Sequence, residues 1–168
     1  MLFRYALRHD SIKEEMRDQK IKKYAYEEIC RAFEDAEIAY IPLKGSVIRP
    51  FYPYESMRTS CDIDILIHEE DLKIAINSLN AKGYQYGKRN YHDVSLHSPN
   101  KVHLELHFNI QENIDQLDAV LKNVWNYTLQ AHGNQYRFSK EFFAFHMFAH
   151  MAYHFIHGGC GIRSLLDI

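Results

Sequence analysis

Two aspartates, Asp62 and Asp64, stand one residue apart in the run CDIDILI, where β-branched residues alternate with acids. On a strand, positions two apart point to the same face, so the spacing predicts paired carboxylates with Cys61, Ile63 and Ile65 turned into the core. Like charges that close repel unless water or cations lie between them, and hard oxygen donors suit Mg2+ or Mn2+ better than Zn2+. Taken alone, such a triplet is better explained by the wet face of a strand. The run VHLELHF adds to it, because His103, Glu105 and His107 share one face and Val102, Leu104, Leu106 and Phe108 the other. If the two strands are neighbours, Glu105 joins the aspartates. Three carboxylates so placed are what a two-metal phosphoryl-transfer site requires: two hold both cations, and the third holds the cation that activates an attacking hydroxyl and takes its proton. Upstream, Lys44, Gly45 and Ser46 fall at a strand-to-helix turn, where exposed amides and a hydroxyl can donate to phosphate oxygens. By itself that dipeptide is only a turn.

The elements that must position these residues are legible from periodicity. Apolar residues from Ile12 to Phe33 recur at three to five residue steps among dense charges, which predicts one or two amphipathic helices from Asp10 to about Ile38, with Asp10 or Ser11 as the cap. Tyr40 to Leu43 reads as a short strand that Pro42 places near an edge or a strand end, followed by a short helix over Ser46 to Phe51. A loop with Pro50 and Pro53 leads to the strand Asp62 to Ile67, then a helix from Glu69 to Lys82 that stops at Gly83. Strands follow at Tyr84 to Tyr86, Asp93 to His97 and Val102 to Phe108. Beyond Asp115 the spacing is helical again, and a long helix capped by Ser139 runs to about His157, where Gly158 and Gly159 end it. The fold class expected is α/β (α+β): a small mixed sheet flanked by helices, with a helical segment over 1–39, a core over 40–110 and a helical C-terminal region over 111–168. The last residues, GIRSLLDI, read as the start of another helix that stops without a cap, so a truncated C-terminal region is expected.

Composition bounds the remaining choices. In 168 residues, 20 Lys plus Arg face 22 Asp plus Glu, a net charge of −2, which supplies no field for drawing in nucleic acid or anionic lipid. Three dispersed cysteines, Cys30, Cys61 and Cys160, make neither a disulfide framework nor a cysteine zinc site, and fit a reducing cytoplasm. No stretch of 18 apolar residues and no leader-like start argues for a membrane span or secretion. Of the 11 histidines, His146, His150, His154 and His157 fall on one side of the predicted long helix, yet Phe145, Met147, Phe148 and Met151 make that helix apolar nearly all round. They are read as lining a cleft or bonding in the core rather than as a zinc site, since one helix supplies only part of a coordination shell. Arg163 and Asp167, one turn apart, are expected to pair.

The order of elements (strand, glycine-serine turn, short helix, loop, acid-apolar-acid strand, later acid strand) resembles the nucleotidyltransferase superfamily of the DNA polymerase beta type. More narrowly, PLKGSVIRPFY, MRTSCDIDILI and HLELHF are similar to a bacterial family of uncharacterised nucleotidyltransferases, well over Ile41 to Phe108 and more loosely over His146 to Asp167. The resemblance implies that Gly45 and Ser46 hold a nucleoside triphosphate, ATP by first choice, that Asp62 and Asp64 bind two Mg2+ ions (Mn2+ the alternative), and that Glu105 completes the site. Lys44 and Arg58 are implied as further phosphate contacts, although the loop with Pro50 and Pro53 departs from compact relatives and affects the placement of Arg58. The activity implied is transfer of a nucleoside monophosphate to an acceptor hydroxyl that the sequence does not identify. Competing readings are a catalytically idle module of the same fold that binds a nucleotide or partner, and a phosphohydrolase built on the histidine helix.

Overall fold

The computed structural model describes residues 2–54, 57–58, 60, 62–159 and 161–168, with the side chains of 2–15 and of 163 left out. Expectations for Cys61, Cys160 and the Arg163 side chain therefore lie outside the described residues.

Helix α1 (Leu2–Asp35) passes unbroken through Asp10 and Ser11, so neither is a start cap. The stretch before them holds Leu, Arg and Ala and no glycine or proline, and such a sequence has no reason to delay the helix. Strand β1 (Tyr40–Pro42) leads through Lys44 into the one-turn helix α2 (Gly45–Ile48) and a 3-10 turn at Arg49–Phe51. Then come β2 (Asp62–Ile67), α3 (Leu72–Ala81), β3 (Gln85–Arg89), β4 (Asp93–His97) and β5 (His103–His107). Beyond α4 (Asp115–Leu121) the chain makes a hairpin, β6 (Thr128–His132) and β7 (Gln135–Phe138), that helical spacing alone did not anticipate. Helix α5 (Lys140–His157) follows, its first turn capped by the Ser139 side chain as expected, and α6 (Ile162–Leu166) closes the chain. Among the described residues, no helix is long and apolar enough to cross a membrane.

The seven strands form one mixed α/β sheet in the order β3-β4-β5-β2-β1-β7-β6. The pairs β2/β5 and β1/β7 are parallel and the remaining neighbours antiparallel. Pro42 ends β1, as the sequence suggested, but that strand is internal because the hairpin covers its other side. The hairpin is tied down at its tip. Glu34 accepts hydrogen bonds from the Asn134 backbone (2.9 Å) and side chain (3.2 Å), and the Tyr40 amide donates to the Asn134 carbonyl (3.0 Å). Gly133 has a φ of +52°, and a Cβ there would stand 2.4 Å from Glu34 Oε2, so the turn needs glycine twice over.

Alternation along β2 decides which face does what. Ile63, Ile65 and Ile67 pack with Ile29, Phe33 and Leu79 in the core beneath α1 and α3. On the opposite face Leu66 joins Ile41, Leu121, Phe138 and Phe142 beneath α4 and α5. Asp62 and Asp64 share the face of Leu66, where the apolar core gives way to a cleft. Burying Ile65 and Leu66 completely anchors the strand from both sides by about 2 kcal/mol each.

Candidate active site

Parallel pairing of β2 with β5 sets Asp62 opposite His103 and Asp64 opposite Glu105. The three acids expected from alternation therefore lie on two adjacent strands and line one cleft of about 440 Å³. Lys44 and Gly45 line it from the end of β1, and His146, His150 and Glu112 from the side of α5. The Leu43 amide donates to the Asp64 carbonyl (3.0 Å), which fixes the glycine turn against the acid strand. Lys44 takes a φ of +39°, unusual for a residue with a side chain, and its Nζ lies 3.6 Å from Asp64 Oδ1.

The carboxylates differ in their surroundings. Asp64 is buried, which opposes ionisation, yet Lys44 and a 3.1 Å hydrogen bond with His107 Nε2 hold its carboxyl well below the usual range. Asp62 is pushed up, first by burial and then by the charges of Asp64 and Glu105, which outweigh Lys44. Glu105 is held down chiefly by hydrogen bonding to His107, 3.5 Å away. Burial works against charge on the His107 ring, but Asp64 and Glu105 outweigh it and raise its pKa. His107 was placed on the Glu105 face by sequence without being assigned a role. Its burial, 4% exposed, and its contact with both acids make it part of the site.

The other sequence-derived residues divide. Gly45 packs so closely beneath Arg58 that a Cβ would come 3.3 Å from the guanidinium Nη1. Ser46 is half-buried, with its amide donating to the Leu43 carbonyl (3.2 Å), and it is not among the residues lining the cleft. Ser60 takes that place instead, accepting from Arg49 Nη2 (2.9 Å) and donating to the Asp62 carbonyl (3.2 Å). Arg58 lines the cleft but is 6% exposed and makes a 2.8 Å ion pair with Asp167, whose other oxygen accepts from the Tyr52 hydroxyl (2.6 Å). The expected pairing of Asp167 with Arg163 lies outside the described residues; in the structure Asp167 ties the C-terminal end to the loop before β2 through Arg58 and Tyr52.

On α5, His150 Nδ1 lies 2.7 Å from Glu112 Oε1, and its Nε2 lies 2.9 Å from His154 Nε2. His146 is 1% exposed with neither ring nitrogen bonded, and burial followed by the positive charge of Lys44 lowers its pKa to about 3. His157 turns back to the Tyr153 carbonyl (2.9 Å). Among the described residues, three-donor groups that could hold a metal ion are Asp62/His103/Glu105, Asp64/Glu105/His107 and His92/Asp93/His107, and none includes an α5 histidine. The cleft-lining reading of His146, His150 and His154 thus agrees with their positions. The donor chemistry of the first two groups, carboxylate oxygen with imidazole nitrogen, fits divalent cations of the size of Mg2+ and Mn2+.

No curated protein matches the sequence. Among solved structures, the chain is similar to the antibiotic-resistance factor ANT(2'')-Ia, determined in solution, with a TM-score of 0.47 and 13% identity. That similarity covers 54% of this chain and 48% of the other, so the chain spans about half the length of that protein. The sequence matches the family described as uncharacterised nucleotidyltransferase over residues 3–168. With a match running almost from end to end, the chain belongs to the uncharacterised nucleotidyltransferase family, as the acid triplet and the glycine turn suggested.

Proposed function

We propose that the protein transfers a nucleoside monophosphate, AMP by first choice, from an NTP to an acceptor hydroxyl in the cytoplasm, with pyrophosphate leaving. The observation that carries this reading is the register of β2 against β5, which sets Asp64 beside Glu105, two residues from Asp62, on the cleft face next to Gly45. Asp62, Asp64 and Glu105 would hold two divalent cations, Mg2+ with Mn2+ as the alternative. When bound, these supply positive charge at the attacking and leaving oxygens of an in-line displacement.

The chain's own groups account for the rest of the chemistry. Backbone amides at the turn of Gly45, together with Lys44, would hold the triphosphate; Ser46 and Arg58 would act by shaping that turn. The acceptor oxygen attacks the α-phosphorus, the bond from that phosphorus to the pyrophosphate oxygen breaks, and the acceptor proton passes to Glu105. Much of the rate would come from holding the two reactants in line. The acceptor would enter from the α5 side, where Glu112, His150 and Tyr153 line the cleft.

The test uses purified protein with ATP, Mg2+ and cell extract, reading pyrophosphate release and transfer of label from the α-phosphate. The expected result is metal-dependent transfer in the wild type and none in Asp62→Asn or Asp64→Asn, both still folded. ATP binding without pyrophosphate release in the wild type would identify an idle binding module instead.

A further inference from the structure

Glu105 sits between two imidazoles, and each of its oxygens faces a different one. Oε1 lies 4.0 Å from His103 Nδ1 and Oε2 lies 3.5 Å from His107 Nε2. His107 Nε2 is also 3.1 Å from Asp64 Oδ1, and His103 stands opposite Asp62 in the strand register. Two donor groups result, Asp62/His103/Glu105 and Asp64/Glu105/His107, each containing two carboxylates and one imidazole and sharing Glu105.

These separations have a metric meaning. Donors bound at about 2.1 Å to one ion lie about 3 Å apart when adjacent and about 4 Å apart when opposite. The distances around His107 and His103 fall in that range. Mg2+ prefers oxygen and gives up its water reluctantly, so a nitrogen at either position adds little for it. First-row transition ions gain from imidazole, in the order in which Mn2+ is the weakest binder and the most Mg2+-like in geometry. Alternation explains how the nitrogens get there: in HLELH every second residue projects onto the cleft face, so one strand supplies nitrogen, oxygen, nitrogen.

We infer that this centre selects first-row transition ions, Mn2+ over Mg2+, with His103 and His107 as nitrogen donors flanking Glu105. The inference rests on the metal-binding role given to the acids above. It reverses the order of ions given there, Mn2+ ahead of Mg2+, and adds two ligands outside the acid triplet. Lys44, 3.6 Å from Asp64 Oδ1, is the competing cation, and its flexible stem lets it withdraw toward solvent or a phosphate.

The experiment is Mn2+ titration of the whole chain followed by electron paramagnetic resonance, with Mg2+ as competitor, and pulsed measurement of nitrogen-14 coupling to bound Mn2+. The wild type is expected to bind Mn2+ at least about tenfold more tightly than Mg2+ and to show imidazole nitrogen coupling. The double variant His103→Gln/His107→Gln should lose the coupling and about tenfold or more of its Mn2+ affinity, with Mg2+ affinity little changed. If His107→Gln fails to fold, His103→Gln alone, at a half-buried position, should weaken the nitrogen coupling. Absence of nitrogen coupling in the wild type, or equal losses for both ions in the variants, overturns the inference. Asp64→Asn protein that binds both ions as the wild type does would instead remove the metal site of the proposed function.

Discussion

Removing the Asp167 carboxylate should loosen the C-terminal end and the loop beside the glycine turn together. The Arg58–Asp167 pair is buried on both sides, with side chains 6% and 5% exposed, and its 2.8 Å contact is reinforced by the Tyr52 hydroxyl at 2.6 Å. Breaking a buried ion pair by deleting one partner costs about 3 to 5 kcal/mol, far more than a surface pair. The low end applies to Asp167→Ala, because α6 is five residues long and can detach without unfolding the sheet. Ile162, Leu165 and Leu166 are 76%, 63% and 65% exposed, so apolar packing does little to hold that helix in place. About 3 kcal/mol corresponds to a fall of about 10 °C in the unfolding midpoint for a chain of this length. Thermal melts and amide hydrogen exchange over residues 162–166 read both parts of the effect. Asp167→Ala should speed exchange there, and Arg58→Met/Asp167→Leu should recover most of the loss, since a matched apolar pair leaves no buried charge. A midpoint shift below about 2 °C with unchanged exchange, or a double variant whose loss equals the sum of the singles, would refute the clamp.

Gly45→Ala should leave stability within about 1 kcal/mol, since alanine favours a helical turn, but should weaken ATP binding in a titration because the new methyl displaces Arg58 Nη1 from 3.3 Å. Gly133→Ala should lower stability by about 2 kcal/mol in urea unfolding, because the left-handed φ of +52° and the 2.4 Å approach to Glu34 both oppose a side chain. His146 has a folded pKa of about 3, well below its ordinary value, so the unfolded chain binds a proton that the folded one refuses. Its contribution to stability is present above about pH 6.5 and is lost as pH falls from there toward 3, at about 1.4 kcal/mol per pH unit at the steepest. Melts across that window should show a shallower slope in His146→Phe than in the wild type.

The acids were legible because a strand's period of two is strict: once CDIDILI and HLELH are read as strands, Asp62, Asp64 and Glu105 can only face one way each. Whether those strands touch was not legible, since parallel pairing between β2 and β5 depends on how α3, β3 and β4 return the chain. Burial is the same kind of property, and it is why His107 could be placed on a face without a role. The β6–β7 hairpin had a local signal in Gly133-Asn134 between alternating residues, and the apolar spacing of Leu117 to Trp125 obscured it. Arg58 was read from its neighbours in sequence, and its partner Asp167 lies more than a hundred residues away. Only the fold reveals that pairing. Ser60 was missed for a similar reason: it lies outside the glycine turn in sequence, and the loop before β2 brings it to the cleft.

The proposed function requires three acidic side chains to converge on cations beside the glycine turn. An experimentally determined structure with Mn2+ and a non-hydrolysable ATP analogue tests it directly. Metal density is expected within about 2.5 Å of oxygens from Asp62, Asp64 and Glu105, with the triphosphate against the Gly45 amide. Metal bound elsewhere, or a nucleotide seated away from β2 and β5, would contradict it.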